Sequence, residues 1–220
     1  MIKTWTQETL PTVLPIFPLA GALLLPRGEL PLNIFEPRYV AMVEWALATP
    51  DRMIGMIQPH GHDADPERVF SVGCAGRINS LHETNDGRYL LTLSGVMRFR
   101  VIDELPQQNG FRSVRPDFAP YLDDLAPPQG DQLDRSKMLG LLKEYFQSEG
   151  LACNWDQVKN ASDDTLITAL SMVCPFEVPE KQALLEAVDT QARGAIFLTM
   201  LEMAVLVQQG NSDDDHPPYH

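Results

Sequence analysis

The sequence predicts an α+β protein, with a β unit over residues 1–120, a helical bundle over 121–210 and an acidic tail over 211–220. Three observations carry this prediction. Up to about residue 120, short apolar runs are punctuated by Gly, Pro and Asp, the pattern of strands joined by turns. After residue 132 the apolar spacing becomes helical. Strands followed by helices, without regular alternation, fit α+β better than a parallel α/β sheet.

Strands are expected near 13–17, 22–25, 30–35, 52–58, 69–83, 88–93, 96–104 and 111–118. One helix interrupts them, from Pro37 to Ala48, where Val40, Val43, Ala46 and Leu47 recur at spacings of three and four. Pro37 suits its first position because it lacks an N–H and its φ is already helical. Glu36 then meets the positive end of the helix dipole, and its loss should cost roughly 1 kcal/mol. Arg38 is placed to brace the turn against a strand or a carboxylate, so the Glu36-Pro37-Arg38-Tyr39 seam reads as structural. Asn85-Asp86-Gly87-Arg88 reads as a hairpin, with Asp-Gly supplying positive φ angles. In "GVMRFRV", Val96, Arg98 and Arg100 alternate with Met97, Phe99 and Val101, which predicts a half-buried strand.

The stretch "PDFAPYLDDLAPPQGD" suits a connection across the surface. Beyond it, a helix is expected from Gln132 to Ser148, capped by Asp131 and stopped by Gly150. Three more follow: 163–173 behind Ser162, 179–188 with Pro179 at its first position, and 190–208. The last is apolar around most of its circumference, as a central bundle helix or a surface for a partner chain would be. The tail 211–220 is expected to be disordered.

Residues 1–120 carry 11 basic and 13 acidic side chains, whereas 121–220 carry 6 and 17, so nearly all of the net charge of −13 comes from the second half. That balance disfavours a nucleic-acid partner, because phosphate binding needs clustered Lys and Arg. The apolar stretch Val13 to Pro26 is broken by Pro15 and Pro18 and falls short of the roughly 20 residues of a membrane span. The expectation is a soluble cytoplasmic protein, with Cys74, Cys153 and Cys174 as buried free thiols.

No catalytic motif emerges. There is no phosphate-binding G-x-x-x-x-G-K-[ST], no G-x-G-x-x-G and no G-x-S-x-G elbow. His60, His62, Asp63 and Asp65 bring metal-ligating types together, but they read as a polar loop without a second ligand pair. "HETND" at His82 misses H-E-x-x-H for want of the second histidine. No cofactor or metal is expected. Arg77, Arg88, Arg98 and Arg100 are expected to pair with Glu83, Asp86, Asp103 and Glu104 within the sheet.

The run "LPIFPLAGALLLPRGELPLNIFEPRYVAMVEWAL" resembles the opening of the Lon protease amino-terminal, substrate-binding domain family, with its L-F-P-L, L-P-G and I-F-E-P-R-Y signatures. "VGCAGRI", "DGRYLLTLSGVMRFRV" and "PEKQALLEAVDTQAR" are similar to later family motifs, so the resemblance spans about residues 10–210. Arg27-Gly28 after Pro26 and Cys74 depart from the family pattern. The resemblance implies a PUA-like β-pseudobarrel followed by an α-helical bundle. It also implies a stand-alone bacterial relative lacking the ATPase and Ser-Lys peptidase modules, of the kind named peptidase S16 by ancestry.

The leading expectation is therefore a non-catalytic module that binds unfolded or extended protein segments through the apolar residues Phe17, Leu24, Leu32 and Phe35. Self-association into a homo-oligomer stays open. The alternatives are RNA binding by the arginine-bearing PUA-like half, and a hydrolase centred on His60, His62 or His82.

Overall fold

The computed structural model describes residues 5–60, 68–127 and 134–213. The elements run β1 (Leu14–Pro18), β2 (Glu29–Ile34), α1 (Pro37–Ala48), β3 (Met53–Ile57), β4 (Val72–Glu83), β5 (Tyr89–Gln108) and β6 (Phe111–Asp117), a 3-10 segment (Ala119–Leu125), then α2 (Arg135–Ser148), α3 (Trp155–Asn160), α4 (Asp163–Val173), α5 (Val178–Glu186) and α6 (Thr190–Asp213). They form two compact units, residues 1–127 with 172–186, and residues 128–171 with 187–220.

In the first unit the sheet order is β2-β5-β4-β3-β1-β6, and β6 pairs again with β5. Strands β5, β4, β3, β1 and β6 thus close into a ring, as the expected pseudobarrel requires. β5 makes closure possible by its length: residues 89–94 pair with β2, whereas 100–108 pair with β6. Only β1 and β3 run parallel, and the helix α1 lies in the connection between them. Leu14, Ile16, Met53, Ile57, Ala75, Met97, Phe99 and Val114 fill the ring.

Several expectations change. The two strands expected at 88–93 and 96–104 are one continuous β5. Its turn into β6 is Asn109-Gly110, with φ of 50° and 82°, the positive pair a tight hairpin needs. At the other hairpin only Gly87 has positive φ (79°), and the loop closes through Thr84 N–H to the Arg88 carbonyl at 2.9 Å.

Residues 22–25 form no strand: Leu23, Leu24 and Leu25 are all buried, which a strand alternating between two faces does not produce. This segment passes over β5, tied by Arg27 N–H to the Gly95 carbonyl and Gly95 N–H to the Gly28 carbonyl, both at 2.8 Å. A Cβ on Gly95 would lie 1.9 Å from the Leu25 carbonyl oxygen, so only glycine permits the approach.

Helix α5, expected inside the bundle, belongs to the ring's unit. Polar side chains fasten it there: Lys181 Nζ donates to the Gly21 carbonyl at 2.6 Å, Gln182 Nε2 to Val72 at 3.1 Å, and Gln58 Nε2 to Val178 at 3.3 Å. The 3-10 segment likewise packs, with Tyr121 and Leu125 against the ring core, where a surface connection was expected.

In the second unit α2 is capped by Asp134, whose Oδ1 accepts from Lys137 N–H at 3.0 Å; the expected cap Asp131 lies outside the described residues. Gly150, with φ of 65°, ends that helix as expected. Helix α3 was not foreseen. Arg135 holds its C-terminal end, donating to the carbonyls of Val158, Lys159 and Ala161 at 2.7, 3.1 and 2.9 Å while pairing with Asp163. Helix α6 is long and apolar enough over Thr190–Val207 to cross a membrane by length and composition, which the sequence reading did not register. It buries Phe197, Leu201 and Val205, and Lys137 on α2 pairs with its Glu202 at 2.5 Å. Cys74 and Cys174 are buried, whereas Cys153, expected to be buried, is partly exposed. Of the tail expected to be disordered over 211–220, residues 211–213 are the end of α6, and 214–220 lie outside the described residues.

Candidate functional site

β2 stands beside the ring, not in it. It pairs with β5 along one edge, and among the described residues no backbone hydrogen bond joins residues 30–35 to any other element. Among the described residues its other edge is therefore an unpaired row of backbone groups, the kind of surface that recruits another strand. Pro31 sits in the middle of it, at a place a sheet tolerates only on an edge.

A groove of about 350 Å³ adjoins this strand. Phe17, Pro18 and Leu19 line one side, Pro31 to Ile34 the other, and Phe35, Glu36, Arg38 and Tyr39 complete it. The Phe17 and Tyr39 rings lie 4.3 Å apart, and the Arg38 guanidinium stacks 4.5 Å above the Tyr39 ring. Burial pushes the Tyr39 phenol above its ordinary pKa, against the pull of Arg38. Phe35 is 62% exposed, with the Arg88 guanidinium 6.0 Å from its ring centroid.

The four residues expected to bind do not all meet there. Phe17, Leu32 and Phe35 line the groove, with Phe17 buried as its floor. Leu24 does not: it is buried in the core, under Gly76 and Gly95. Glu36 and Arg38 contribute to the groove wall, and Glu36 makes no capping hydrogen bond; its carboxylate accepts from Arg38 Nε at 3.0 Å instead. The sequence reading passed over Pro18, Leu19 and Pro31, although a proline inside a strand pattern was a legible sign of an edge.

A second, shallower concavity of about 530 Å³ lies over β2, β5 and β4. Asn33, Ser80, His82, Leu90 and Thr92 line it. Ser80 and His82 share no hydrogen bond among the described residues, and no carboxylate lines the concavity, so the partners of a nucleophile are not assembled there. The His60 ring lies tilted against Phe70, centroids 4.7 Å apart, while His62, Asp63 and Asp65 lie outside the described residues. Among the described residues no group of His, Cys, Asp and Glu has the makings of a metal site.

The arginines pair differently from expectation. Arg88 does meet Asp86, at 2.9 Å. Glu104 and Asp103 are instead taken by Arg112 at 2.6 Å and Arg115 at 3.3 Å, both on β6 across the ladder. Arg98, expected on the polar face of its strand, is buried and forms a two-pronged pair with Asp124, Nε to Oδ2 at 2.9 Å and Nη2 to Oδ1 at 2.8 Å. Burial opposes the Arg98 charge, and Asp124 more than offsets it, so its pKa stands above the ordinary value.

The family described as the ATP-dependent protease La (LON) substrate-binding domain matches residues 13–203, most of the chain. The chain belongs to this family. It is 28% identical to Lon protease 2 of Myxococcus xanthus over 204 residues, covering 89% of this chain and 24% of that protein. It is 26% identical to Lon protease of Anaeromyxobacter dehalogenans over 203 residues, again 24% of that protein, so it spans about a quarter of these relatives. Among solved structures, a Lon N-terminal domain protein from Xanthomonas campestris superposes with a TM-score of 0.61 at 23% identity, covering 86% of this chain and 98% of that one. The N-terminal domain of a Mycobacterium avium complex Lon protease gives 0.59 at 16% identity, covering 88% and 98%. These likenesses confirm the α+β Lon-type fold, with its strands closing around the core described above.

Proposed function

We propose that this Lon substrate-binding domain chain holds extended or unfolded segments of other proteins in the groove beside β2, and that it does so without itself hydrolysing ATP or peptide bonds. The observation that carries this reading is the coincidence of three features in one place: an unpaired strand edge, an apolar groove along it, and the exposed Phe35 ring. An extended peptide has the unsatisfied backbone groups and alternating side chains that such an edge accommodates. Family membership supports the substrate class, because the family that residues 13–203 match is described as the substrate-binding domain of the Lon protease.

Titration of a fluorescently labelled, permanently unfolded protein into the purified chain should give saturable binding. Phe35→Ala should weaken that binding about tenfold or more, the effect of losing a well-placed aromatic anchor, while leaving the melting temperature unchanged. Absence of saturable binding up to high micromolar concentration would sink the proposal.

A further inference from the structure

The surroundings of the β2 edge are charged unevenly. Arg38 is paired with Glu36, and Arg88, whose guanidinium lies 6.0 Å from the Phe35 ring centroid, is paired with Asp86, so each of these two cations is balanced locally. Near the Phe35 end, Glu83 on β4 and Glu44 on α1 both act on Tyr89, which pairs directly with Ile34 of β2. Among the described residues, no cation pairs with Glu44 or Glu83. At the opposite end, Glu29 is in register with Ser94 and then Arg77, a cation two strands away, about 10 Å at ordinary strand spacing. The excess negative charge is thus concentrated where β2 runs into Phe35.

We infer that the preferred occupant is an extended apolar segment that pairs with β2 as an added strand and carries a lysine or arginine at its Phe35 end, the end of β2 nearer Glu44 and Glu83. This rests on the peptide-binding reading above and adds to it a backbone geometry and a charge preference. Strand addition uses alternate amides of the incoming chain, because the others point away from β2. Glu83 lies two strands from β2, about 14 Å from an added strand at ordinary strand spacing, a range at which its pull is felt at low salt and screened at high salt. Six residues of β2 offer an edge about 20 Å long, which a peptide of about seven residues covers.

The test uses the whole chain and fluorescein-labelled peptides of alternating valine and threonine, flanked by lysine, by glutamate or by neutral glutamine. The lysine-flanked peptide should bind about fivefold more tightly than the glutamate-flanked one at low salt, a difference on the order of 1 kcal/mol, and the gap should close at high salt. Glu44→Gln combined with Glu83→Gln should remove the preference while leaving the neutral peptide's affinity unchanged. N-methylation of alternate amides, made in its two staggers, should abolish binding in one stagger and spare it in the other.

Equal loss or equal retention in both staggers would overturn strand addition, and equal affinity of the lysine and glutamate peptides would overturn the charge preference. If the unfolded protein binds and Phe35→Ala weakens it, but these peptide signatures are missing, this inference alone fails. If the unfolded protein does not bind at all, the broader reading fails with it.

Discussion

Two ion pairs in the same β unit show how differently one kind of contact behaves. Glu36 and Arg38 belong to the chain's most recognisable motif, yet they are 45% and 54% exposed and their contact is local, two residues apart. Arg98 and Asp124 belong to no motif that drew notice, yet they are 9% exposed or less and join β5 to the 3-10 segment, while Arg98 also donates to the Leu185 carbonyl on α5 at 3.2 Å. Water competes for the first pair and screens it; the second has exchanged water for each other and must stay paired. Motif visibility is therefore no guide to energetic weight. The recognisable pair shapes a groove wall, and the unremarked one fastens three elements together.

The comparison breaks most decisively at Asp124. Asp124→Ala would strand the Arg98 charge in the interior and should lower unfolding free energy by about 3–5 kcal/mol, measured by urea denaturation. A loss under about 1 kcal/mol would mean that the pair is solvated in solution. Gly95→Ala tests the same junction without charge: its methyl group would meet the Leu25 carbonyl, and about 3 kcal/mol of destabilisation is expected from the forced backbone shift. Wild-type stability in that variant would show that the 22–28 segment yields freely.

Lys181 extends the contrast to a buried cation whose acceptors among the described residues are the carbonyls of Gly21 and Met172. Burial lowers its pKa below the ordinary 10.5, so in the window between the two values the unfolded chain binds more protons than the folded one. Folding stability therefore rises with pH through that window, and the contribution is lost as pH falls through the lowered value. Stability of the wild type, relative to Lys181→Met, should climb as pH is raised towards 10.5, read from paired thermal or denaturant melts. A flat difference would place the ammonium in water. The smallest effect is expected at Glu36→Ala, about 0.5 kcal/mol or less, because the side chain makes no capping bond and its ion pair is exposed. A melting shift worth more than about 1 kcal/mol would restore the capping role that the sequence suggested.

Much of the fold was legible because it rests on local chemistry. Pro37 opens α1 and Gly150 ends α2 as expected, since each answers a φ requirement confined to its own turn. Asn109-Gly110 was equally legible and was overlooked, which is why β5 was cut short of its full length. The groove was partly legible: three of the four apolar residues singled out, Phe17, Leu32 and Phe35, line it, whereas Leu24, equally apolar and close in sequence, is core. Hydrophobicity alone could not separate them. It reports what avoids water, not which neighbour will supply the cover.

By itself the sequence determined the α+β class, the family through ordered motifs, and the helix and hairpin ends set by Pro, Gly and Asn. Tertiary structure alone decided that β5 pairs along its length with both β2 and β6, that α5 joins the ring's unit, that Arg98 finds Asp124, and that β2 keeps one edge unpaired beside an exposed Phe35. The physical reason is range. Backbone torsions and periodicity act within a few residues, whereas pairing, burial and charge compensation depend on which distant segments arrive together.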